Sequence, residues 1–258
     1  TLSVNYNVTK LWSQYLTETT YLDESNYDLI SRNIPEQEFR VMYRDVLRDL
    51  KEAKFYTEEE TYVLADDLNA KKNRSAIIEI LTIYSYERLT NIFGDVPYSE
   101  ALSSETNLPK YDDAKTIYTD LTVRLTAAIG NLDVNAGSFD SGFDNMFNGD
   151  VAMWKKFAFG LQMKMGITIA DDDATEAQSL IEGAWNEEFS SSAEGAYFPF
   201  LSVSPNTNPI YEDLVLSGRA DFVAANTIVD IMNTLNDPRR AFYFTLAPDT
   251  NIYIGGTY

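Results

Sequence analysis

The feature that most constrains the fold is a repeated one. Apolar residues recur at three- and four-residue spacing in four long stretches that begin near residues 36, 74, 114 and 150, so successive starts lie 38, 40 and 36 residues apart. Each stretch is long enough for an amphipathic helix, and a spacing of this size is that of a helix pair repeated along a solenoid-like array. The loops lack the tetratricopeptide consensus residues, so a degenerate version of that repeat is the expectation. In the first stretch, Phe39, Met42, Tyr43, Val46, Leu50 and Ala53 share one face of a helix over about 35–54, with Pro35 in its first turn. Thr57 with Glu60 reads as a capping box opening a short helix over about 58–68. From 74 to 93, Ile77, Ile78, Ile80, Leu81, Ile83, Tyr84, Leu89 and Ile92 cover most of the helix circumference, which predicts a central helix buried on several sides.

The third stretch is the cleanest. Asp112 or Asp113 serves as N-cap, and Ala114, Ile117, Tyr118, Leu121, Leu125, Ala128, Ile129 and Leu132 form its stripe. The fourth carries Trp154, Phe157, Ala158, Leu161, Met165 and Ile169, and Asp171-Asp172-Asp173 caps a shorter helix over about 174–184. Residues 186–220 have no sustained period and read as loop. A last helix is expected over about 222–235, stopped by Asn236-Asp237-Pro238, and a short strand in 241–258. The whole reads as one domain, mainly α, with a helical layer and a loop-rich layer.

The chemistry open to this chain is narrow. Its 258 residues include no His and no Cys, which excludes Ser-His-Asp and Cys-His nucleophile systems, zinc sites with nitrogen or sulfur ligands, and disulfides. A net charge of −20, with no basic run longer than Lys71-Lys72 or Arg239-Arg240, opposes nucleic-acid binding. The most apolar segment, 77–89, is interrupted by Glu79, Glu87 and Arg88, so no membrane span is expected. The first residues show neither a secretory pattern nor a Cys for acylation.

Four ordered motifs then point to a family. Arg88-Leu89-Thr90-Asn91-Ile92-Phe93-Gly94-Asp95-Val96-Pro97-Tyr98-Ser99-Glu100-Ala101 resembles the signature of the SusD/RagB family of Bacteroidetes surface nutrient-binding lipoproteins. The segment from Pro109 to Asp120, the Gly149-Asp150 turn with Trp154-Lys155-Lys156-Phe157-Ala158, and Asn236-Asp237-Pro238-Arg239 resemble three further family segments in the family's order. The helix after Trp154 departs from the pattern, with Leu161-Gln162-Met163-Lys164-Met165 where an Arg-containing stretch is usual. The resemblance runs from about Tyr27 to Tyr258. Members are longer, so the chain reads as a single SusD-like domain incomplete at both ends. What it implies is a fold of tetratricopeptide-like paired helices scaffolding a loop-rich layer. The implied role is a non-catalytic lid, lipid-anchored outside this chain on the extracellular face of the outer membrane. There it captures a glycan or peptide and delivers it to a SusC-like TonB-dependent barrel. A structural subunit without its own ligand and a carboxylate-dependent glycoside hydrolase are the alternatives.

Tyr dominates a high aromatic count, and its flat apolar face with a polar tip suits stacking on a sugar ring or gripping a peptide. Tyr43, Tyr84, Tyr118 and Trp154 fall on helical stripes and are assigned to the core. The loop aromatics are the binding candidates: Tyr21 and Tyr27 with Arg32 and Asn33, in a neighbourhood where the family's ligand contacts cluster, and Tyr197 with Asn208, Tyr211 and Arg219. Gly94-Asp95-Val96-Pro97 is assigned a structural role as a helix stop. No cofactor is expected. The acids of 140–150 would suit calcium, but they lack the EF-hand order and terminal Glu, so a solvated turn is the stronger reading.

Overall fold

A computed structural model describes residues 8–248 and 250–258. In chain order its elements are β1 (Leu16–Glu18), α1 (Ile34–Val41), a π-helical segment (Met42–Leu47), α2 (Arg48–Glu59), α3 (Ala65–Phe93), β2 (Val96–Pro97), β3 (Tyr111–Asp112), α4 (Ala114–Asn131), α5 (Val151–Thr168) and α6 (Ala174–Ala184). A 3₁₀ turn (Ser192–Glu194), α7 (Pro209–Tyr211), a second π-helical segment (Glu212–Leu216), β4 (Phe222–Ala224), α8 (Asn226–Thr234) and α9 (Arg240–Tyr243) complete it. The chain folds as two compact units, one of Phe39–Pro199 and one of Thr1–Glu38 with Phe200–Tyr258.

The first of these is a stack of paired helices. α2 packs on α3, α3 on α4, α4 on α5 and α5 on α6, the tetratricopeptide-like arrangement expected from the repeat spacing. Ile77, Ile80, Ile83 and Leu89 of α3 meet Ile117, Leu121 and Leu125 of α4 and Met165 of α5 in one core, all of them sealed from solvent. Each such side chain contributes roughly 1.5–3 kcal/mol relative to exposure. Three of the helices start on an aspartate cap. Asp113 accepts from the Thr116 N–H at 2.8 Å, Asp150 from the Ala152 and Met153 N–H at 2.9 and 3.1 Å, and Asp173 from the Glu176 N–H at 3.0 Å. Gly94, at φ +74°, ends α3, and Val96 and Pro97 then pair antiparallel with Asp112 and Tyr111. The Asp95 carboxylate accepts from the Ala114 N–H at 2.9 Å, so the Gly-Asp-Val-Pro segment binds the end of one helix to the start of the next.

Two sequence expectations are corrected in this unit. No capping box forms at Thr57 and Glu60, because Thr57 is buried inside α2 and the following helix starts only at Ala65. It then runs 29 residues to Phe93, absorbing the expected break before 74. Tyr84 is 40% exposed rather than core. The Lys164 ammonium lies over its ring, 5.7 Å from the centroid, and Phe157 meets it at 5.9 Å.

Asp144 organises the 140–150 turn. Its buried carboxylate accepts from the N–H groups of Met146, Phe147 and Gly149 at 2.9–3.0 Å and from Trp154 Nε1 at 2.7 Å. Gly149 is required there, since φ is +83° and a Cβ would overlap the Phe139 carbonyl oxygen.

The second unit is irregular. β1 and β4 form a two-stranded antiparallel ladder with Leu16 opposite Ala224 and Glu18 opposite Phe222. Ala225 bridges to Gly256, and Gly255 allows the approach because a Cβ there would collide with the Asn226 backbone. The helix expected over 222–235 is thus a strand followed by α8. Its buried side is Val229 and Met232, together with Leu11, Phe222 and Ala225. The expected strand in the tail is the single Gly256 bridge, preceded by α9.

Candidate functional site

The β1–β4 ladder does more than its three residue pairs show. Continued past Glu18 and Phe222, its register places Thr19 opposite Asp221 and, two residues on, Tyr21 opposite Arg219, and the bonds reach as far as Thr19 and Thr20. The Thr19 N–H donates to the Asp221 carbonyl at 2.8 Å, the Thr19 hydroxyl to the Ala220 carbonyl at 2.7 Å, and the Thr20 hydroxyl to the Asp221 carboxylate at 3.2 Å. Two segments about 200 residues apart in sequence are thereby joined side by side.

At that junction Tyr21 stands 62% exposed, with its backbone in the left-handed region at φ +59°. A bulky non-glycine residue costs about 1–2 kcal/mol in this conformation, and such strain concentrates at functional sites. The Arg219 guanidinium lies over the Tyr21 ring, 5.8 Å from its centroid, and the Arg32 guanidinium at 5.4 Å. Each guanidinium is held from behind by carboxylates. Arg219 Nε pairs with Asp221 at 2.6 Å, which raises the basicity of the guanidinium further. Arg32 pairs with Asp23 at 3.4 Å and with Glu24 at 3.1 Å. The result is an exposed aromatic face with two planar donor groups fixed against it. Such a surface can stack on an apolar ring face and donate to its hydroxyl or carbonyl oxygens.

Of the eight candidates from sequence, Tyr21, Arg32 and Arg219 come together here, drawn from both candidate segments. Tyr27 belongs to the same unit and is half exposed, but its hydroxyl is tied down. It donates to the Trp12 carbonyl at 3.1 Å, accepts from Gln14 at 3.3 Å, and its ring meets Tyr258 edge-on at 6.2 Å. The contact with the Tyr258 hydroxyl holds the Tyr27 phenol below its ordinary range. Asn33 and Asn208 serve helix starts. Asn33 is at φ +51°, its amide donates to Glu36 and its carbonyl accepts from Gln37. Asn208 caps α7, accepting from the Ile210 and Tyr211 N–H groups. Tyr211 is in α7 and partly exposed. Tyr197 belongs to the helical unit, where its hydroxyl turns back to the Ser192 carbonyl at 3.0 Å.

Sequence reasoning missed the carboxylates that orient the guanidiniums, Asp23, Glu24 and Asp221. Arg219-Ala220-Asp221 and the acids at 23 and 24 were visible as opposite charges close to the chosen arginines. The helical unit has a cleft of its own, about 330 Å3, lined by Lys54, Glu79, Tyr98 and Arg124 among others. Its polar groups are spent on one another, with Lys54 Nζ and Arg124 Nε 2.5 and 2.6 Å from Glu79 and the Tyr98 hydroxyl bonded to both Arg124 and Asp120. Among the described residues no cluster of three or more acidic side chains is arranged to hold a metal ion, and no helix is long and apolar enough to cross a membrane.

The fold is thus a stack of paired helices carried in one chain with an irregular unit that displays an exposed aromatic ring. The chain belongs to the SusD-like family, whose model, described as starch-binding associating with outer membrane, matches residues 1–258. Among solved structures it is similar to a chitin-binding protein, at 22% identity and a TM-score of 0.80 over 99% of this chain and 56% of that one. It is also similar to a SusD homologue from Bacteroides vulgatus (18% identity, TM-score 0.77, 99% and 52%) and to a chitin-binding SusD homologue from Flavobacterium johnsoniae (20%, 0.70, 99% and 53%). At these identities the likeness is one of fold, and the chain spans about half the length of these structures. No curated protein matches the chain.

Proposed function

We propose that this protein is a non-catalytic surface binding module that captures a glycan on the Tyr21 platform and, as a lid, delivers it to a SusC-like TonB-dependent barrel of the outer membrane. The observation that carries the reading is the exposed Tyr21 ring with Arg32 and Arg219 fixed against it. A sugar ring stacks its C–H face on such a phenol, and its hydroxyls accept from the guanidinium N–H groups. The alternative cargo, a peptide, uses the same donors but gains less from an isolated flat aromatic face. The family description and the chitin-binding relatives support a saccharide. A non-catalytic role fits the carboxyl groups at the platform: Asp23 and Asp221 are engaged with arginines, and Glu18 and Glu24 are sealed from solvent.

Calorimetric titration with maltoheptaose, chitohexaose and a tripeptide panel tests this. The expected result is saccharide binding without turnover, weakened at least tenfold in Tyr21→Ala and in Arg219→Ala. Binding of peptides alone, hydrolysis of the saccharide abolished by one Asp or Glu substitution, or full affinity in Tyr21→Ala would each overturn it. Absence of any ligand together with tight co-purification with a barrel would favour a purely structural subunit.

A further inference from the structure

Directly behind the platform lies a pair of acids that the binding reading does not use. The Glu24 side chain is 0% exposed, and neither of its oxygens receives a hydrogen bond of good geometry. Glu18, on β1, is also buried, and one of its carboxylate oxygens accepts from both the Ser25 N–H and the Ser25 hydroxyl at 3.0 Å. Ser25, the residue next to Glu24, is the one bonded to Glu18, so the two buried acids belong to one closed turn, and Glu18 bears on the Glu24 carboxyl. Two ionised carboxylates do not share such a space in low dielectric, and an acceptor-only Glu18 offers the unpartnered Glu24 oxygens no donor. One proton placed between them supplies the missing O–H.

We propose that Glu24 is a positioning residue of the platform: as a carboxylic acid it donates to Glu18, closing the loop between β1 and Arg32 so that Arg32 is held against Tyr21. The inference rests on the platform reading only for its consequence in binding. The charged and titratable groups facing the pair are Arg32, whose Nε is 3.1 Å from Glu24, Asp23 on the same guanidinium, and Tyr258, on which the Glu18 charge acts. Burial, with Glu18 adding to it, pushes the Glu24 carboxyl up from 4.5 to about 7, against the pull of local backbone hydrogen bonding and Arg32. With no His in the chain, the usual neutral-pH titrator is missing, so the event stands out.

The test uses the whole chain and two readouts that need no ligand. One is the protonated-carboxyl carbonyl band in the wild-type minus Glu24→Gln infrared difference spectrum; the other is the Arg32 Nε–H resonance, both followed from pH 5 to 9. The expected result is a band lost with a midpoint near 7 and an Arg32 resonance that moves with the same midpoint. In Glu24→Gln that resonance should stay at its low-pH position at every pH. Glu18→Gln, kept as a second variant should Glu24→Gln fail to fold, lowers the midpoint because it removes the neighbouring charge. Absence of the band at pH 6, or an Arg32 resonance indifferent to pH, overturns the proposal. If both signatures are present and neither maltoheptaose nor chitohexaose binds, the positioning stands and the glycan reading falls. If both saccharides bind and the signatures are absent, the reverse holds.

Discussion

Removal of Lys164 gives a direct test of how the helical unit is held together. The Glu87 carboxylate on α3 is 0% exposed, and Lys164 Nζ on α5 sits 2.9 Å from it. Asn91 at 2.5 Å and the Tyr118 hydroxyl at 3.5 Å complete its surroundings. Removing one partner of a buried ion pair costs roughly 3–5 kcal/mol, because the other charge stays desolvated and uncompensated. Lys164 is itself 54% exposed, so water screens part of the attraction and the expected loss for Lys164→Met falls to about 2–3 kcal/mol. Lys164→Arg restores the cation and is expected to stay within about 1 kcal/mol of the wild type. The double variant Glu87→Met/Lys164→Met removes both charges and is expected to recover most of the loss, as buried pairs replaced by apolar side chains do. Urea unfolding at pH 7 reads all three, with an unchanged slope showing that only stability has moved. A loss below about 0.5 kcal/mol in Lys164→Met would refute the reasoning, since Glu87 would then not depend on this cation.

Other outcomes follow from the same structure. Leu121→Ala, at the contact of α3 and α4, is expected to lose about 2–5 kcal/mol by urea unfolding, whereas Val123→Ala on the exposed face of α4 stays within about 0.5 kcal/mol. Asp144→Ala strands three backbone N–H groups and the Trp154 indole, and is expected to cost about 2–4 kcal/mol, while a chelator leaves the melting temperature unchanged if the turn holds no calcium. Lys156 and Ser190 hold Glu194 at about 2, and Arg239 holds Asp237 at about 2. Both are depressed, so their contribution is complete above the ordinary carboxylate range and is lost as pH falls toward 2. Asp237→Asn should therefore flatten the acid limb of the stability profile by lowering the melt at pH 7 while leaving it close to the wild type near pH 2. Over the opposite window, Glu24 retains its proton in the folded state up to about 7. Its contribution to stability should then fall by about 1.4 kcal/mol per pH unit between about 4.5 and 7 and level off above, a slope absent in Glu24→Gln.

What could be read from sequence followed the length of the element and the clarity of its period. α4 and α6 match their expected spans because an aspartate cap and a regular stripe coincide there, and one signal confirms the other. The start of α3 was missed because residues 65–73 carry almost no apolar pattern; they are helical through propensity and through Asn73, whose buried amide pairs with the Asp133 and Gly137 carbonyls. Thr57 and Glu60 have the spacing of a capping box, but packing buries Thr57 and decides against it.

The platform was half legible. The chemistry of Tyr21 and Arg32 stands out in an unpatterned segment. Arg219 stands out in another, and nothing in the sequence ties it to Tyr21. The tie is a ladder whose two strands are three residues each, too short to leave an alternation that a periodicity argument could detect. An acid such as Glu24 in so acidic a chain reads as a solvated one, and only the fold shows its side chain buried.

The most direct test of the central claim is a crystal structure of the protein soaked with the tightest-binding saccharide of the titration panel. A sugar ring stacked on Tyr21, with hydroxyls on the Arg32 and Arg219 guanidiniums, is the predicted result. A saccharide seated instead in the helical cleft beside Lys54 and Arg124, with the Tyr21 ring bare, would contradict the account.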